Sequence, residues 1–121
     1  MNNDDRLIFV NIKHSYEAMI KNETSSPYYR KDLKDCTRMY WKISDDKAEA
    51  ATHILGCYNG IVKEVIRISS YSTDEGEYAG RKVFEGEELN DSEYLGMDIR
   101  SLFGTLANFR IKYINEHLRN Y

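Results

Sequence analysis

The chain is poor in several things that would narrow its function quickly. Its 121 residues include one proline, Pro27, one tryptophan, Trp41, and two cysteines, Cys36 and Cys57. Two thiols so far apart, with no second pair near either, supply no disulfide framework and no zinc-ligand spacing, so both are expected to be reduced packing residues. The lone proline and seven scattered glycines mark no linker, repeat or low-complexity tract, and a single domain over residues 1–121 is expected. No run approaches the roughly 18 apolar residues of a membrane span. The opening MNNDDR has neither the cationic start nor the apolar stretch of a signal peptide. The expectation is a cytoplasmic protein with no membrane partner.

A basic excess is also missing. Seventeen lysines and arginines stand against twenty acidic residues, for a formal charge of −3. That balance argues against a dedicated phosphate-backbone binder and leaves room for a small anionic ligand or a local basic patch. Catalytic constellations are lacking too. His14, His53 and His117 show no metal-ligand spacing, and no glycine-rich phosphate loop is present. KHSYE sets His14, Ser15 and Glu17 together in sequence, but a nucleophile and its base must meet in space. The acidic run from Glu85 to Glu93 lacks the calcium-loop pattern and reads as solvated surface. No enzymatic activity, metal or cofactor is expected.

What the chain does have is strand-forming sequence. LIFVNI, residues 7–12, is apolar on both faces, as a central strand requires. A short helix near Ser15 to Lys21, a loop around Thr24 to Pro27 and a helical turn before Cys36 follow. TRMYWKI, residues 37–43, alternates as a strand, with Met39, Trp41 and Ile43 on an apolar face and Arg38, Tyr40 and Lys42 on a basic, aromatic one. In SDDKAEAATHIL, Ser44 can cap a helix, Asp45 and Asp46 suit its positive end, and Ala48, Ala51 and Leu55 form a small-residue stripe. ILGCYNGIVKEVIRI reads as two strands joined by Asn59-Gly60, a pair that accepts the positive φ angles of a tight hairpin. After the acidic loop STDEGEYAG, a further strand carries Val83 and Phe84. The ending LANFRIKYINEHLRNY fits helical and strand spacing equally well. These elements predict an α+β fold with a mixed, strongly curved sheet of about five or six strands and flanking helices.

Several segments in order resemble a small bacterial and phage domain family associated with GIY-YIG nuclease modules. They are FVNI with SY (9–16), TRMYWKI (37–43), GIVKEVIRI (60–68), GRKVFEG (80–86), YLGMDI (94–99) and IKYIN (111–115). The resemblance implies that IKYIN is a closing strand and that the sheet is similar to the β-barrels of the PUA, ASCH and EVE group, which bind RNA, modified bases or nucleotides in a cleft. The chain departs from the family pattern at Tyr71 and Lys82, where tryptophans are usual, and at Phe109-Arg110, where an Asn-Pro pair is usual.

Base recognition needs a π-face for stacking and polar or cationic groups for base edges and phosphates. The candidate ligand-binding residues are Arg38, Tyr40, Lys42, Tyr58, Arg67, Arg81 and Tyr113, with Tyr71 beside them. Against this stands the ordinary use of tyrosine as a strand former and of arginine on solvated surfaces. Trp41, flanked by Met39 and Ile43, is expected in the core. Two readings follow. One is a non-catalytic domain that binds a nucleotide, a modified base or a short RNA. The other is a phage-type anti-defence factor that blocks a host defence protein or nuclease with an acidic surface of Asp74, Glu75, Glu77, Glu85, Glu87 and Glu88, or that sequesters a nucleotide signal.

Overall fold

The computed structural model describes residues 4–100 and the backbone of residues 111–114. Nine elements follow in chain order. They are β1 (Leu7–Asn11), α1 (Lys13–Ile20), α2 (Leu33–Arg38), β2 (Met39–Trp41), α3 (Asp45–Ala50), β3 (His53–Tyr58), β4 (Ile61–Thr73), β5 (Lys82–Glu88) and β6 (Ile111–Ile114). The fold is α+β, with a curved, mixed six-stranded sheet in the order β2-β5-β4-β3-β1-β6. β1 runs parallel to β3, and every other pairing is antiparallel. β2 and β6 are the two edges, so the ladder is open among the described residues.

Both faces of the sheet are covered. On the helix side, Ile8, Val10, Ile54, Ile66 and Phe84 pack with Ile12, Cys36, Ile43 and Ala48. On the other side, Leu7, Phe9, Leu55, Cys57, Val62 and Val65 pack against Tyr94 and Ile99 of the segment that follows β5. This double burial is why LIFVN carries apolar side chains at successive positions.

The curvature has a local cause. At the β3–β4 ladder, Gly56 pairs with Glu64 but Cys57 pairs with Val62, which leaves Lys63 as an extra residue on β4. At the β4–β5 ladder, Ile68 pairs with Gly86 and Ser70 with Glu85, which leaves Ser69 as another. Each bulge bends the strand and switches which side chains face the helices. Val62 therefore packs on one face, Ile66 and Ile68 on the other, and Tyr71 joins them although its parity is opposite. Gly86 is obligatory at the second bulge, since a Cβ there would lie 2.0 Å from the Arg67 carbonyl oxygen.

The hairpin forms as expected. Asn59 and Gly60 have φ of 52° and 81°, and Tyr58 pairs with Ile61 across the turn. Ser44 caps α3 by accepting the Lys47 N–H, but α3 stops at Ala50, so Leu55 belongs to β3 and not to the helix stripe with Ala48 and Ala51. Ile111–Ile114 of IKYIN form the strand β6, antiparallel to β1, and Asn115 lies outside the described residues. The expected strand over 37–43 is corrected. Thr37 and Arg38 complete α2, and only Met39–Trp41 are strand. Met39 pairs with Val83 and Trp41 with Lys82, so Tyr40 is an extra residue and the simple alternation breaks at it. Trp41 is half-buried against the helix-side core and donates its indole N–H to the Thr37 carbonyl at 2.8 Å.

Candidate functional site

Three segments meet at Tyr40, two of them loops and the third the start of the edge strand β2. The first follows α1, which closes at Asn22 in a left-handed conformation, φ 56°. There the Glu23 N–H bonds the Ala18 carbonyl and the Asn22 N–H bonds that of Met19, the double bond of a Schellman cap. The chain then turns through Ser26 and Pro27 to Arg30, and Asp32 caps α2 through the Asp35 N–H at 2.8 Å. The second segment is the tip of the β4–β5 hairpin, residues 74–81. Asp74 organises it: its carboxylate accepts the Tyr78 N–H at 2.9 Å, its carbonyl accepts from Gly80, and its N–H donates to the Arg81 carbonyl. The third segment is the α2–β2 junction that carries Tyr40.

At the meeting point the Tyr40 and Tyr78 rings are stacked, with centroids 4.2 Å apart and planes 15° from parallel. The Arg30 guanidinium flanks both rings, 5.2 Å from the centroid of Tyr40 and 5.7 Å from that of Tyr78. Arg30 Nη1 donates to the Pro27 and Tyr29 carbonyls at 3.1 and 2.8 Å, and its buried Nε has no partner among the described residues. Arg81 Nη1 donates to the Tyr40 carbonyl at 3.4 Å. The Tyr78 hydroxyl donates to the Pro27 carbonyl at 3.3 Å. Next along the first loop, the half-exposed Tyr28 tilts against His14, with centroids 4.8 Å apart. Among the described residues no carboxylate pairs with Arg30 or Arg81. Arg38, by contrast, holds two carboxylates, and Arg67 and Arg100 one each.

Of the expected ligand-binding residues, the structure brings Tyr40 and Arg81 together. Arg38 ends α2 and is clamped by Asp35 and Glu85, both at 2.6 Å, so it serves as a structural cation. Lys42 is exposed just beyond β2. Tyr58 lies at the end of β3, where its hydroxyl donates to Glu17 at 2.7 Å and its ring leans on Tyr16, 4.6 Å between centroids. Arg67 pairs with Glu87 directly across the β4–β5 ladder, at a position opposite in parity to Ile66 and Ile68 of the helix-side core. Tyr113 stands on β6, opposite Ile8, and its side chain lies outside the described residues. Arg30 and Tyr78 escaped the sequence reading because they sit on loops, where no periodicity marks them. The visible signal was the run Tyr28-Tyr29-Arg30 after the only proline.

Lys82 and Tyr71 share one partner, Asp45. Lys82, 6% exposed, reaches Asp45 Oδ1 at 3.2 Å, and the Tyr71 hydroxyl lies 3.5 Å from the same oxygen. A buried ammonium and a phenol thus meet on the first residue of α3. The three residues of KHSYE point to separate partners: His14 to Tyr28, Ser15 Oγ to the Ile12 carbonyl and Glu17 to Tyr58. Burial raises the pKa of both thiols, that of Cys57 to about 12, which leaves neither as a ready nucleophile. Among the described residues no three His, Cys, Asp or Glu side chains converge as metal ligands, and no helix is long and apolar enough to cross a membrane. Comparisons with protein-family models, curated proteins and solved structures return no match.

Proposed function

We propose that this is a non-catalytic recognition domain that binds a nucleotide, a modified base or a base of a short RNA at the Tyr40–Tyr78 cluster. One observation carries the reading. A stacked aromatic pair is bordered by two arginines that no described carboxylate neutralises, in a chain whose net charge is negative. Arginines on an acidic protein are ordinarily paired with acids, and a cationic aromatic surface left open suits a ligand that is both planar and anionic. The motif resemblance to a nuclease-associated family and its nucleotide-binding barrel relatives supports the same reading.

The anti-defence reading draws on the acidic residues, and their pairing works against it. Glu85 is tied to Arg38, Glu87 to Arg67, and Asp74 to its own turn. A surface on which two of the six carboxylates are paired with arginines and a third is tied into its own turn is a poorer mimic of a nucleic-acid backbone. The test is titration calorimetry at low salt with ribonucleotides and a short single-stranded RNA. Binding that weakens on Arg30→Ala and Tyr40→Ala, and that weakens with added salt, supports the proposal. No heat from any probe, together with capture of a host nuclease by the intact chain, would shift the assignment to the protein-interaction reading.

A further inference from the structure

Resting on that reading, we infer that Tyr78 is the movable wall of the site. The ligand is a single unstacked base carrying a phosphate, clamped between the Tyr40 and Tyr78 rings, with Arg30 and Arg81 taking its anionic group. With the rings 4.2 Å apart, nothing fits between them as they stand. A base needs about 3.5 Å on each side, so the rings must separate to about 7 Å. One of them must therefore move.

The construction of the two supports shows which one moves. Tyr40 lies between Met39 and Trp41, whose backbones pair with Val83 and Lys82 of β5, so it is fixed. Tyr78 rides on a tip that is bonded to itself. The bonds among Asp74, Tyr78, Gly80 and Arg81 close the turn internally. Among the described residues, the bonds and ring contacts from the tip to the rest of the protein are few. They are the Tyr78 ring on Tyr40 and beside Arg30, the Tyr78 hydroxyl on the Pro27 carbonyl, and Arg81 Nη1 on the Tyr40 carbonyl. Glu75, Gly76, Glu77, Ala79 and Gly80 are all exposed. Such a turn can hinge as a unit at Asp74 and Arg81 without breaking its own bonds.

Opening also changes the surroundings of the cations. When Tyr78 leaves the Pro27 carbonyl, Arg30 keeps its two carbonyl bonds through Nη1 while its partnerless Nε stays beside the new gap. Arg81 sits at the hinge itself and swings with the tip. Arg30 stands against both rings and Arg81 holds the Tyr40 carbonyl, so two guanidinium groups meet Tyr40 from different loops, an arrangement suited to one phosphate and not to an uncharged base.

Two substitutions at one position test this. Tyr78→Phe keeps the ring and removes the hydroxyl latch, so opening becomes easier and affinity for a 5′-mononucleotide rises about threefold. Tyr78→Ala removes the wall and lowers affinity at least about tenfold, as loss of one stacking aromatic does. Tyr78→Leu, which fills the same volume without a π-face, behaves like Tyr78→Ala if the face is what matters. The probes are the four ribonucleoside 5′-monophosphates, the matching nucleosides, inorganic phosphate and a single-stranded hexaribonucleotide. The nucleosides and phosphate alone bind more weakly than the nucleotide, and the hexamer shows whether the base is taken free or from a strand. Tyr78→Ala and Tyr78→Leu binding as tightly as the parent, or Tyr78→Phe binding more weakly, would overturn the inference while leaving nucleotide recognition in place. Parent protein that binds none of the probes would remove both.

Discussion

The Glu64 carboxyl on β4 is buried, and that burial, reinforced by Glu88 on the neighbouring strand, favours its protonated form. Glu64 pairs with Gly56, whose Cα faces Thr37 of α2, so the Glu64 side chain shares the helix-covered face. Its Oε1 accepts the Val65 N–H at 3.2 Å, and its Oε2 is buried with no donor among the described residues. A buried carboxyl with a second carboxyl near it and, among the described residues, no cation beside it is held in its neutral, protonated form.

Stability should follow from that proton. Burial, reinforced by Glu88, raises the Glu64 pKa to about 8, above its ordinary value of 4.5. Between those two values the folded state binds a proton that the unfolded chain does not, so this contribution is full below pH 4.5 and is lost as pH rises towards about 8. His53 has the opposite sign, because burial lowers its pKa below 6.5 and its contribution is lost as pH falls below that value. Thermal melting from pH 6.5 to 8.5 should therefore show a falling midpoint. Glu64→Gln, which imitates the protonated acid, should flatten the fall and melt higher than the parent at pH 8.

Arg38→Ala should cost about 1–2 kcal/mol in denaturant unfolding, because it leaves Asp35, 7% exposed, without its main cation. Nucleotide affinity should be unchanged within a factor of about two, since one of the two carboxylates that hold Arg38 in place is nearly buried. A large loss of affinity with normal stability would return Arg38 to the site.

Trp41→Ala should destabilise by about 2–3 kcal/mol, less than the roughly 3–5 kcal/mol of a fully buried aromatic, because the ring is only half-buried. The variant should also lose helicity at the end of α2, where the indole N–H holds the Thr37 carbonyl. Chemical denaturation followed by far-ultraviolet circular dichroism reads both.

Gly86→Ala should be the most damaging single-methyl change in the sheet, at least about 2 kcal/mol, since the new Cβ would meet the Arg67 carbonyl carbon at 2.8 Å as well as its oxygen. Gly60→Ala should cost about 1–2 kcal/mol through its positive φ alone. Comparison of the two melting temperatures checks the order.

The sequence made legible whatever depends on a few adjacent residues. The Asn59-Gly60 turn, the Ser44 cap and the doubly buried β1 follow from local chemistry, and each is in the structure where the residues put it. What depended on register was not legible. The extra residues Lys63, Ser69 and Tyr40 each shift parity by one, so face assignments drawn from alternation fail beyond them. Arg38 leaves the expected strand because it completes α2, and Arg67 faces Glu87 across the β4–β5 ladder. Half of the candidate site was readable, Tyr40 and Arg81. The other half, Arg30 and Tyr78, arrives from loops whose placement is fixed by an Asn cap and an Asp-centred turn and not by any repeating pattern.

The contrast between the β3–β4 hairpin and the parallel β1–β3 pairing sets an order of assembly. The hairpin joins Tyr58 to Ile61 across two residues, whereas Leu7 must find His53 across 45 intervening positions that include three helices. Closing the short loop takes on the order of microseconds and little entropy, while the long one is closed against a much larger loss of chain freedom. The hairpin should therefore be formed in the folding transition state, with β1 docking onto it afterwards. Substitutions at Val65 or Ile66 should slow refolding, and substitutions at Ile8 or Val10 should chiefly speed unfolding.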